Sequence, residues 1–375
     1  MKFAIQQEDL QKALDVVAGV VPGKTTLPIL TCILMEADKK GLTLSATNLD
    51  ISILTHTDRA EVQAAGKVAV PAAKLVTFVR SLPPGEVVIE NKGGRLSVRA
   101  GKASLEEVCM NAQEYPSLPQ TAAGEGLAIE GGLLTEMIAE TSYAVSRDET
   151  RPALMGILWE VAAQTLTMVA TDAHRLARSL RHITWDVAAG RTLIVDTAGL
   201  RHLPRLVGQT DDKEPVEVFL GENQLSFRCG ASVLHTRLLE GPFPDYRAVL
   251  PANNDKLAVV DREALAMAIR RVSITADRIT SQIRLGLEKN RLELSAKGTD
   301  GSHAEDEIPV AYDGDALEIG FNYNYLQDIL KNIRSDSVQL RLRDPQSAAL
   351  VEPFGDEKAS GDLLCLLMPL RLAGD

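Results

Sequence analysis

The sequence feature that most constrains this chain is an internal repeat. The stretch LTMVATDAHRLA begins at Leu166, and subtracting 124 from its numbering lands on the similar stretch LTLSATNLDISI from Leu42. A weaker third copy, LELSAKGTDGS, begins at Leu292. Each copy has the alternating apolar residues of a strand that runs into a polar turn. Three copies of one pattern predict three similar modules of about 125 residues each.

Each module is predicted to open with a strand and an amphipathic helix, at Phe3, Leu127 and Leu257. The apolar residues of this first helix recur at spacings of three, four and seven, which places them on one helix face. The three sets are Leu10, Ala13, Leu14 and Val17, then Leu134, Met137, Ile138 and Thr141, then Leu265, Ala268, Ile269 and Val272.

A second helix with a shared apolar stripe is predicted later in each module. The stripe consists of Leu75, Phe78 and Leu82, then Leu200, Leu203 and Val207, then Leu326, Ile329 and Ile333. Alternating runs that turn at Gly93-Gly94, at Gly221 to Asn223 and at Asp344-Pro345 predict β-hairpins. The sequence therefore predicts an α+β fold of three repeated domains, each with two helices on an antiparallel sheet, at residues 1–122, 123–252 and 253–375.

Composition sets the broad class of the protein. The formal net charge is −11 and the isoelectric point is about 5.2, which by itself argues against nucleic-acid binding, although a total says nothing about how charge is distributed. Cys32, Cys109, Cys229 and Cys365 lie far apart, which favours buried free thiols in a reducing compartment. The amino terminus turns polar at once and no apolar run reaches the ~18 residues of a membrane span, so we expect a cytoplasmic protein.

One basic position recurs in the second helix of every module. Arg80, Arg205 and Lys331 are related by the same offsets that align the apolar stripe. At ~100° per residue this position lies about 165° from the centre of the stripe, so each cation projects from the outer helix face. A single such residue indicates an ordinary solvated surface, whereas recurrence in three modules favours a shared basic surface. The predicted helices together carry a small positive charge, so the other surfaces are acidic.

Two catalytic hypotheses fit the sequence poorly. The stretch from Ala18 to Thr25 satisfies a loose phosphate-loop pattern with Gly23, Lys24 and Thr25, but a helix is predicted before it and extended chain at Pro28 after it. His174 and Asp172 lie in a turn whose counterpart in the first module carries Asn48, so the repeat supplies no catalytic pair. No metal-ligand spacing occurs among the histidines. We expect no cofactor, no metal site and no catalytic residues.

The chain resembles the β sliding clamp family of bacterial replicative DNA polymerase over nearly its whole length. The motifs that carry the resemblance are MKFAIQQEDL at the start, LPIL at 27–30, LSATNLD, VPAAKL, ATDAHRLA, GPFPDYRAVLP at 241–251, IGFNYNYL at 319–326 and LLMPLRL near the end. The resemblance implies a non-catalytic processivity factor: a head-to-tail homodimeric ring of six domains that encircles duplex DNA, with helices lining the hole and sheets outside.

A size argument agrees with two chains. If helices line the hole at ~9.5 Å spacing with ~5 Å radius, six helices leave about 8 Å and twelve leave about 26 Å. Only the larger hole admits duplex DNA, whose major groove alone is ~12 Å wide. We expect contact with DNA phosphates without base readout. The expected residues are Arg80, Arg205, Lys331, Lys24, Lys12, Lys74, Arg147, Arg201, Arg270 and Arg334. Thr197 and Ala198 stand where relatives often carry cations, which implies a weaker field in the middle module.

The resemblance also implies a hydrophobic pocket for short linear motifs of the polymerase α subunit, the clamp loader and repair proteins. Matching residues are Leu154, Thr171, Ala173, His174, Arg175, Leu176, Pro244, Val249, Asn322, Tyr325, Leu366, Met368, Pro369, Leu370 and Arg371. Plain core packing is the alternative for Leu176 and Leu366. The implied dimer seam involves Leu105, Glu107, Arg271 and Ile274.

Three departures from the family pattern concern these sites. Glu107 stands where an apolar residue is common, so the seam is either weaker or carries a salt bridge from Glu107 to Arg271 or Arg278. Ala248 stands where a relative often has arginine, and Leu372 to Asp375 run beyond the usual Met-Pro-x-Arg-Leu ending, next to the implied pocket. Two other hypotheses remain: a nucleotide-dependent enzyme built on Lys24, and a scaffold of repeats that never touches DNA.

Overall fold

The computed structural model describes residues 1–121, 126–183, 185, 190–209, 211, 213–355 and 362–372. The predicted boundary between residues 122 and 123 and the last three residues lie outside this set. The helices are α1 (Gln7–Ala18), α2 (Ala72–Ser81), α3 (Gly131–Ser142), α4 (Thr197–Leu200), α5 (Leu203–Val207), α6 (Arg262–Val272) and α7 (Tyr323–Asn332). Short 3-10 helices span Pro28–Thr31, Ala112–Glu114, Pro152–Met155 and Tyr246–Val249.

Strands make up most of the remaining described chain. They are β1 (Lys2–Gln6), β2 (Cys32–Asp38), β3 (Gly41–Thr47), β4 (Ile51–Thr57), β5 (Glu61–Ala64), β6 (Gly66–Pro71), β7 (Glu86–Lys92), β8 (Arg95–Ala100), β9 (Ala103–Val108), β10 (Leu127–Glu130), β11 (Gly156–Val161), β12 (Thr165–Thr171), β13 (Arg175–His182), β14 (Arg191–Asp196), β15 (Pro215–Leu220), β16 (Gln224–Cys229), β17 (Ser232–Arg237), β18 (Lys256–Asp261), β19 (Gln282–Glu288), β20 (Arg291–Lys297), β21 (His303–Pro309), β22 (Leu317–Asn322), β23 (Ser337–Leu342), β24 (Ala349–Phe354) and β25 (Asp362–Leu367).

The chain packs into two compact units. The first comprises Met1–Thr135 and Val195–Leu238, and the second comprises Glu136–Ile194 and Leu239–Asp375. These units cut across the three sequence modules because two of the sheets take strands from neighbouring modules. The predicted three-module boundaries are a property of the repeat and are not tested by this division.

The first unit contains two antiparallel sheets. One has the order β5-β1-β7-β8-β9, and the other has the order β10-β15-β16-β17-β4-β3-β2-β6. In the second sheet β17 pairs with β4, with Leu234 opposite Ile53, and this pairing joins strands of the first and middle modules. The predicted Gly93-Gly94 turn connects β7 to β8 with both glycines at positive φ, the geometry that a two-residue hairpin needs.

The second unit repeats this plan. Its larger sheet has the order β14-β11-β12-β13-β25-β24-β23-β18, and its smaller sheet has the order β21-β20-β19-β22. β13 pairs with β25, with Leu176 opposite Leu366, which joins the middle and last modules. The strand β9 in the first unit and the strand β21 in the second are edge strands of their sheets.

The predicted apolar helix stripes form the cores beneath the sheets. All the first-helix positions named above are buried, including the polar Thr141, whose hydroxyl donates to the carbonyl of Met137 at 2.8 Å. Leu75, Leu203 and Ile329 of the second helices are buried to the same degree. Phe78 is the one predicted stripe residue that is only half-buried, and Val79 occupies the core there. The repeated helix pattern is otherwise confirmed.

The second helix of the middle module differs from the prediction. We expected one helix over residues 198–208, and the structure has the two short helices α4 and α5 instead. Pro204 has no backbone N–H, so the carbonyl of Leu200 cannot receive the bond that a continuous helix would give it. Leu200 and Leu203 nevertheless stay buried, so the break changes the backbone and not the apolar stripe.

Candidate peptide pocket and basic surface

The turn between β12 and β13 is built by its own side chains. The Thr171 hydroxyl donates to the carbonyl of Arg175 at 2.7 Å, and Asp172 Oδ1 accepts from the backbone N–H groups of His174 and Arg175. Ala173 has a φ of +78°, in the left-handed region that residues other than glycine seldom adopt. This network fixes the direction in which His174 and Arg175 leave the turn.

The same turn occurs one module earlier. The Thr47 hydroxyl donates to the carbonyl of Ile51 at 3.0 Å, and Asn48 Oδ1 accepts from the N–H of Ile51 at 2.7 Å. Leu49 has a φ of +83°, close to that of Ala173. The sequence repeat is thus a repeat of side-chain hydrogen bonding as well as of strands.

The end of β25 lies against the β12–β13 turn. The N–H of Met368 donates to the carbonyl of His174 at 2.9 Å, directly beyond the ladder in which Leu366 faces Leu176. Leu176 and Leu366 are only 2% and 3% exposed, whereas Met368 is 42% exposed. These residues therefore form a buried apolar floor with an accessible thioether beside it.

The floor belongs to a larger apolar cluster. Its buried members are Leu158, Val169, Leu176, Ile194, Tyr246, Leu350 and Leu366, with Ala153, Leu239, Phe243, Leu250, Ala348 and Leu364 packed against it. The predicted Leu154, Pro244 and Val249 are immediate chain neighbours of cluster members. Leu154 is buried, while Pro244 and Val249 are exposed, Val249 to 56%. An exposed aliphatic residue next to a buried cluster is a surface that can take an apolar side chain from a ligand.

Arg175 is the charged centre of this region. Its Nε donates to Asp172 Oδ2 at 3.0 Å and its Nη1 donates to Asp328 Oδ2 at 2.8 Å. Its guanidinium lies over the ring of Tyr325, 4.3 Å from the centroid, and the His174 ring stacks on the same tyrosine at 6.4 Å. Arg175 is buried, so these contacts hold the side chains of this surface in one arrangement.

The segment after Met368 is held by the smaller sheet. The N–H of Leu370 donates to the carbonyl of Gly320 at 2.8 Å, and the carbonyl of Arg371 accepts from Gln282 Nε2 at 2.8 Å. A Cβ at Gly320 would lie 2.7 Å from the Leu370 carbonyl, so this close approach requires glycine. The side chain of Asn322 caps α7 by accepting from the N–H groups of Asn324 and Tyr325, which positions Tyr325 and occupies the amide oxygen.

The corresponding place in the first unit has different chemistry. Arg237 stands where Met368 stands, and its N–H donates to the carbonyl of Asp50 as Met368 donates to His174. The Arg237 Nη1 also donates to Asp50 Oδ1 at 3.1 Å. An ion pair therefore covers the site that in the second unit presents Met368 and His174. The exposed apolar residue at the first-unit turn is Leu49, 51% exposed, whereas the second unit presents Met368 at the strand end.

Two of the predicted DNA-facing arginines meet at one residue of α1. Arg80 Nε donates to Asp15 Oδ1 at 2.9 Å and Arg205 Nη1 donates to the backbone carbonyl of Asp15 at 2.8 Å. Arg201 and Arg205, together with burial, lower the pKa of His202 to about 4, burial being the largest cause. His202 is consequently neutral at pH 7 and adds no charge to this surface.

The other predicted cations fall into two groups. Lys331 lies 3.9 Å from Asp328, Arg334 donates to Glu136 at 2.7 Å, and Lys74 lies 3.2 Å from Glu107. The cations without a carboxylate within 4 Å in the described part of the chain are Lys12, Lys24, Arg147, Arg201 and Arg270, all exposed. Cations from both groups are accessible to phosphate, but the first group reaches it in competition with a neighbouring carboxylate.

The predicted seam residues lie on the edge strand β9 and just after α6. Leu105 and Glu107 are half-buried on β9, and Ile274 is 83% exposed. Within one chain Arg271 donates to Asp306 of β21 at 2.6 Å, and Glu107 is paired with Lys74. Glu107 and Arg271 each already have a partner in the same chain. A Glu107–Arg271 salt bridge between two copies would therefore have to replace both intrachain pairs.

Comparison with known proteins resolves the family. Models of the DNA polymerase III beta subunit match the chain at residues 1–119 with the N-terminal domain, 128–245 with the central domain and 247–369 with the C-terminal domain. The chain belongs to the DNA polymerase III beta subunit family, the β sliding clamps. Members of this family are processivity factors of DNA replication without catalytic activity, and the chain is accordingly a sliding clamp and not an enzyme.

Relatives cover the whole clamp. The chain is 34% identical to the beta sliding clamp of Pseudomonas putida and 30% identical to that of Escherichia coli K12, in each case over 99% of this chain and 100% of the relative. The crystal structure of the Pseudomonas aeruginosa beta subunit matches with a TM-score of 0.91 at 34% identity, over 99% of this chain and 100% of that one. A Bacillus subtilis clamp structure matches with a TM-score of 0.92 at 26% identity, over 100% of both chains.

The phosphate-loop alternative does not fit this fold. Lys24 follows α1, and the chain beyond it forms the short 3-10 helix Pro28–Thr31 and then β2, so the loop does not open an α-helix as a phosphate loop does. No described helix is long and apolar enough to cross a membrane. The four cysteines are free, and Cys109 is half-buried where the others are buried.

Sequence reasoning missed several residues that shape these sites. Asp15 and Asp328 give no sequence signal for either site, because each lies far along the chain from the arginine that it pairs with. Tyr143, whose ring lies 5.4 Å from the Arg175 guanidinium, gave no sequence signal. The contrast between Arg237 and Met368 can be found in the sequence by aligning the end of β17 in the middle module with the end of β25 in the last module.

Proposed function

We propose that two copies of this clamp pair head to tail into a closed ring of six domains, with boundaries near residues 122 and 252. Membership of the sliding-clamp family over the full length is the observation that carries this proposal. The edge strands β9 and β21 support it, because each has one unpaired side on which a strand of a second copy can pair. Ile274 and Val108, at 83% and 58% exposed, supply apolar surface next to those edges.

The ring would hold duplex DNA by enclosing it. A topological link needs no tight contact, so a diffuse set of cations on the inner helices is sufficient for sliding. Arg80, Arg205 and Lys331 are the first candidates, with Lys12, Lys24, Lys74, Arg147, Arg201, Arg270 and Arg334 behind them. The net charge of −11 on the whole chain then disfavours DNA on the outer surfaces.

The pocket around Met368 would capture short linear motifs of the replicative polymerase α subunit, the clamp loader and other replication and repair proteins. The buried floor at Leu176 and Leu366 beside exposed Met368 and Val249 supports an apolar ligand side chain. A Pseudomonas aeruginosa clamp, 34% identical to this chain with a TM-score of 0.92 over 99% of this chain and all of that one, has been solved bound to griselimycin, which supports a ligand site on this fold. We also propose a cytoplasmic location, which a role in bacterial DNA replication supports.

Retention on closed DNA tests the enclosing ring. The clamp is placed on nicked circular plasmid by the loader complex and isolated by gel filtration, and half the sample is then linearised. The proposal predicts that the clamp stays with the circle and dissociates from the linear form. Equal retention on both would mean ordinary surface binding, and absence from both would support a scaffold that does not touch DNA.

A further inference from the structure

The contact that joins two DNA-facing arginines in the first unit has a functional consequence. Arg80 and Arg205 come from equivalent positions of two modules, yet both bond to Asp15, one through its carboxylate and one through its carbonyl. Arg80 is half exposed and Asp15 is 29% exposed, so the carboxylate faces the same solvent as the guanidinium groups. A single residue of α1 therefore determines where two cations of the basic surface stand.

The position of Asp15 in the repeat strengthens this reading. In the last module the first-helix position equivalent to Asp15 is Arg270, which is exposed, and in the middle module it is Ala139. The same helix position thus carries a cation in one module, a neutral residue in another and a carboxylate here. A carboxylate on a surface that is proposed to face phosphate lowers the local positive potential and engages the Arg80 guanidinium in hydrogen bonds.

We propose that Asp15 is a positioning residue that restrains Arg80 and Arg205 and so weakens the binding of the first unit to DNA phosphates. Weaker phosphate binding lets the clamp slide with little friction. This inference rests on the proposed function. The physical reason is competition: a guanidinium that donates two hydrogen bonds to a carboxylate has fewer donors left for phosphate. Arg205 keeps its bond to the Asp15 carbonyl whatever the side chain, so Arg80 is the cation that responds most.

The test is Asp15→Asn, which keeps the shape of the side chain and removes its charge. Binding of the dimeric clamp to a short fluorescent duplex is measured by anisotropy as salt is varied. Each phosphate contact contributes a slope of about −0.9 in log K against log salt, so freeing the Arg80 contact makes the slope steeper by about 1. We expect Asp15→Asn to bind more tightly by about threefold to tenfold at low salt, and Asp15→Glu to behave as wild type.

Two variants separate positioning from a simple change in net charge. The first variant, Glu217→Gln, removes one carboxylate from the exposed Glu217–Arg228 pair, which lies on β15 and β16 of the first unit. We expect it to leave DNA affinity unchanged. In the second, Asp15→Asn is made in an Arg80→Gln background and compared with Arg80→Gln alone, because losing the Arg80 cation weakens binding by itself. If Asp15→Asn gives little or no gain over Arg80→Gln, the effect of Asp15 acts through Arg80 and the proposal is supported; a gain as large as in wild type shows that removal of repulsion alone is responsible and overturns it.

The outcome is distinguishable from failure of the ring itself. If Asp15→Asn has wild-type slope and affinity while wild type is retained on closed circles, the inference about Asp15 is wrong and the clamp function stands. If wild type is not retained on circles, the proposed function fails independently of Asp15. If Asp15 weakens phosphate binding, we also expect Asp15→Asn clamps loaded on stretched DNA to diffuse along it more slowly than wild-type clamps.

Discussion

Met368 and Leu366 are neighbours on β25 and its end, yet the structure assigns them different energetic roles. Met368 is 42% exposed and Leu366 is 3% exposed within the apolar cluster. Fully burying a methionine side chain is worth about 1.5 to 3 kcal/mol, so covering the exposed 42% with a ligand yields about 0.6 to 1.3 kcal/mol. Met368→Ala should therefore weaken capture of a Gln-Leu-x-Leu-Phe peptide by about threefold to ninefold.

The different exposure of Met368 and Leu366 also separates effects on peptide binding from effects on folding stability. Met368→Ala should leave the urea midpoint of the second unit almost unchanged, because an exposed side chain contributes little to folding. Leu366→Ala removes a buried side chain from the cluster and should lower the unfolding free energy by about 2 to 5 kcal/mol. Peptide affinity is measured by anisotropy and stability by urea unfolding. Unchanged peptide affinity in a folded Met368→Ala clamp would refute the assignment of the pocket.

Three further changes test other parts of the structure. Burial lowers the pKa of His235 to about 4, so the unfolded chain binds a proton at this histidine before the folded chain does, and the protein loses stability as the pH falls below 6.5. Between pH 6.5 and 5 the unfolding free energy of His235→Gln should fall by about 2 kcal/mol less than that of wild type, measured by urea unfolding. Equal losses of unfolding free energy in the two proteins would contradict this. Gly199→Ala places a Cβ 2.2 Å from Thr236 Oγ1 and should lower the melting temperature by several degrees, which Gly23→Ala, with nothing within 4 Å, should not do. Ile274→Asp should give monomers by sedimentation at concentrations where wild type is dimeric, and a dimer would remove Ile274 from the seam.

Much of this fold is predictable because repetition multiplies weak signals. The stripe of Leu75 and Phe78 alone suggests an amphipathic helix, and its recurrence at Leu200 and Leu326 makes the assignment firm. The break at Pro204 was visible in the sequence, but the apolar pattern outweighed it, since tertiary packing keeps Leu200 and Leu203 buried on either side of the break.

The sites were less predictable, because they depend on contacts between distant residues. A helical projection places Arg80 on the outer face, but it does not reveal that Asp15 lies within 3 Å of it. Glu107 is expected to weaken the seam or to bridge to Arg271 or Arg278 of a second copy, and sequence alone does not reveal that within one chain Glu107 pairs with Lys74 and Arg271 with Asp306. Pairings of this kind follow from strand order and helix packing, which a single sequence does not specify.

The central claim is that two copies close into a ring with the recurring cations facing the hole. Electron cryo-microscopy of the clamp on a closed DNA circle tests it most directly. The account predicts a six-domain ring in which β9 of one copy pairs with β21 of the other, with Arg80, Arg205 and Lys331 turned toward the duplex. A map that shows open monomers, or these three residues on the outer surface, would contradict it.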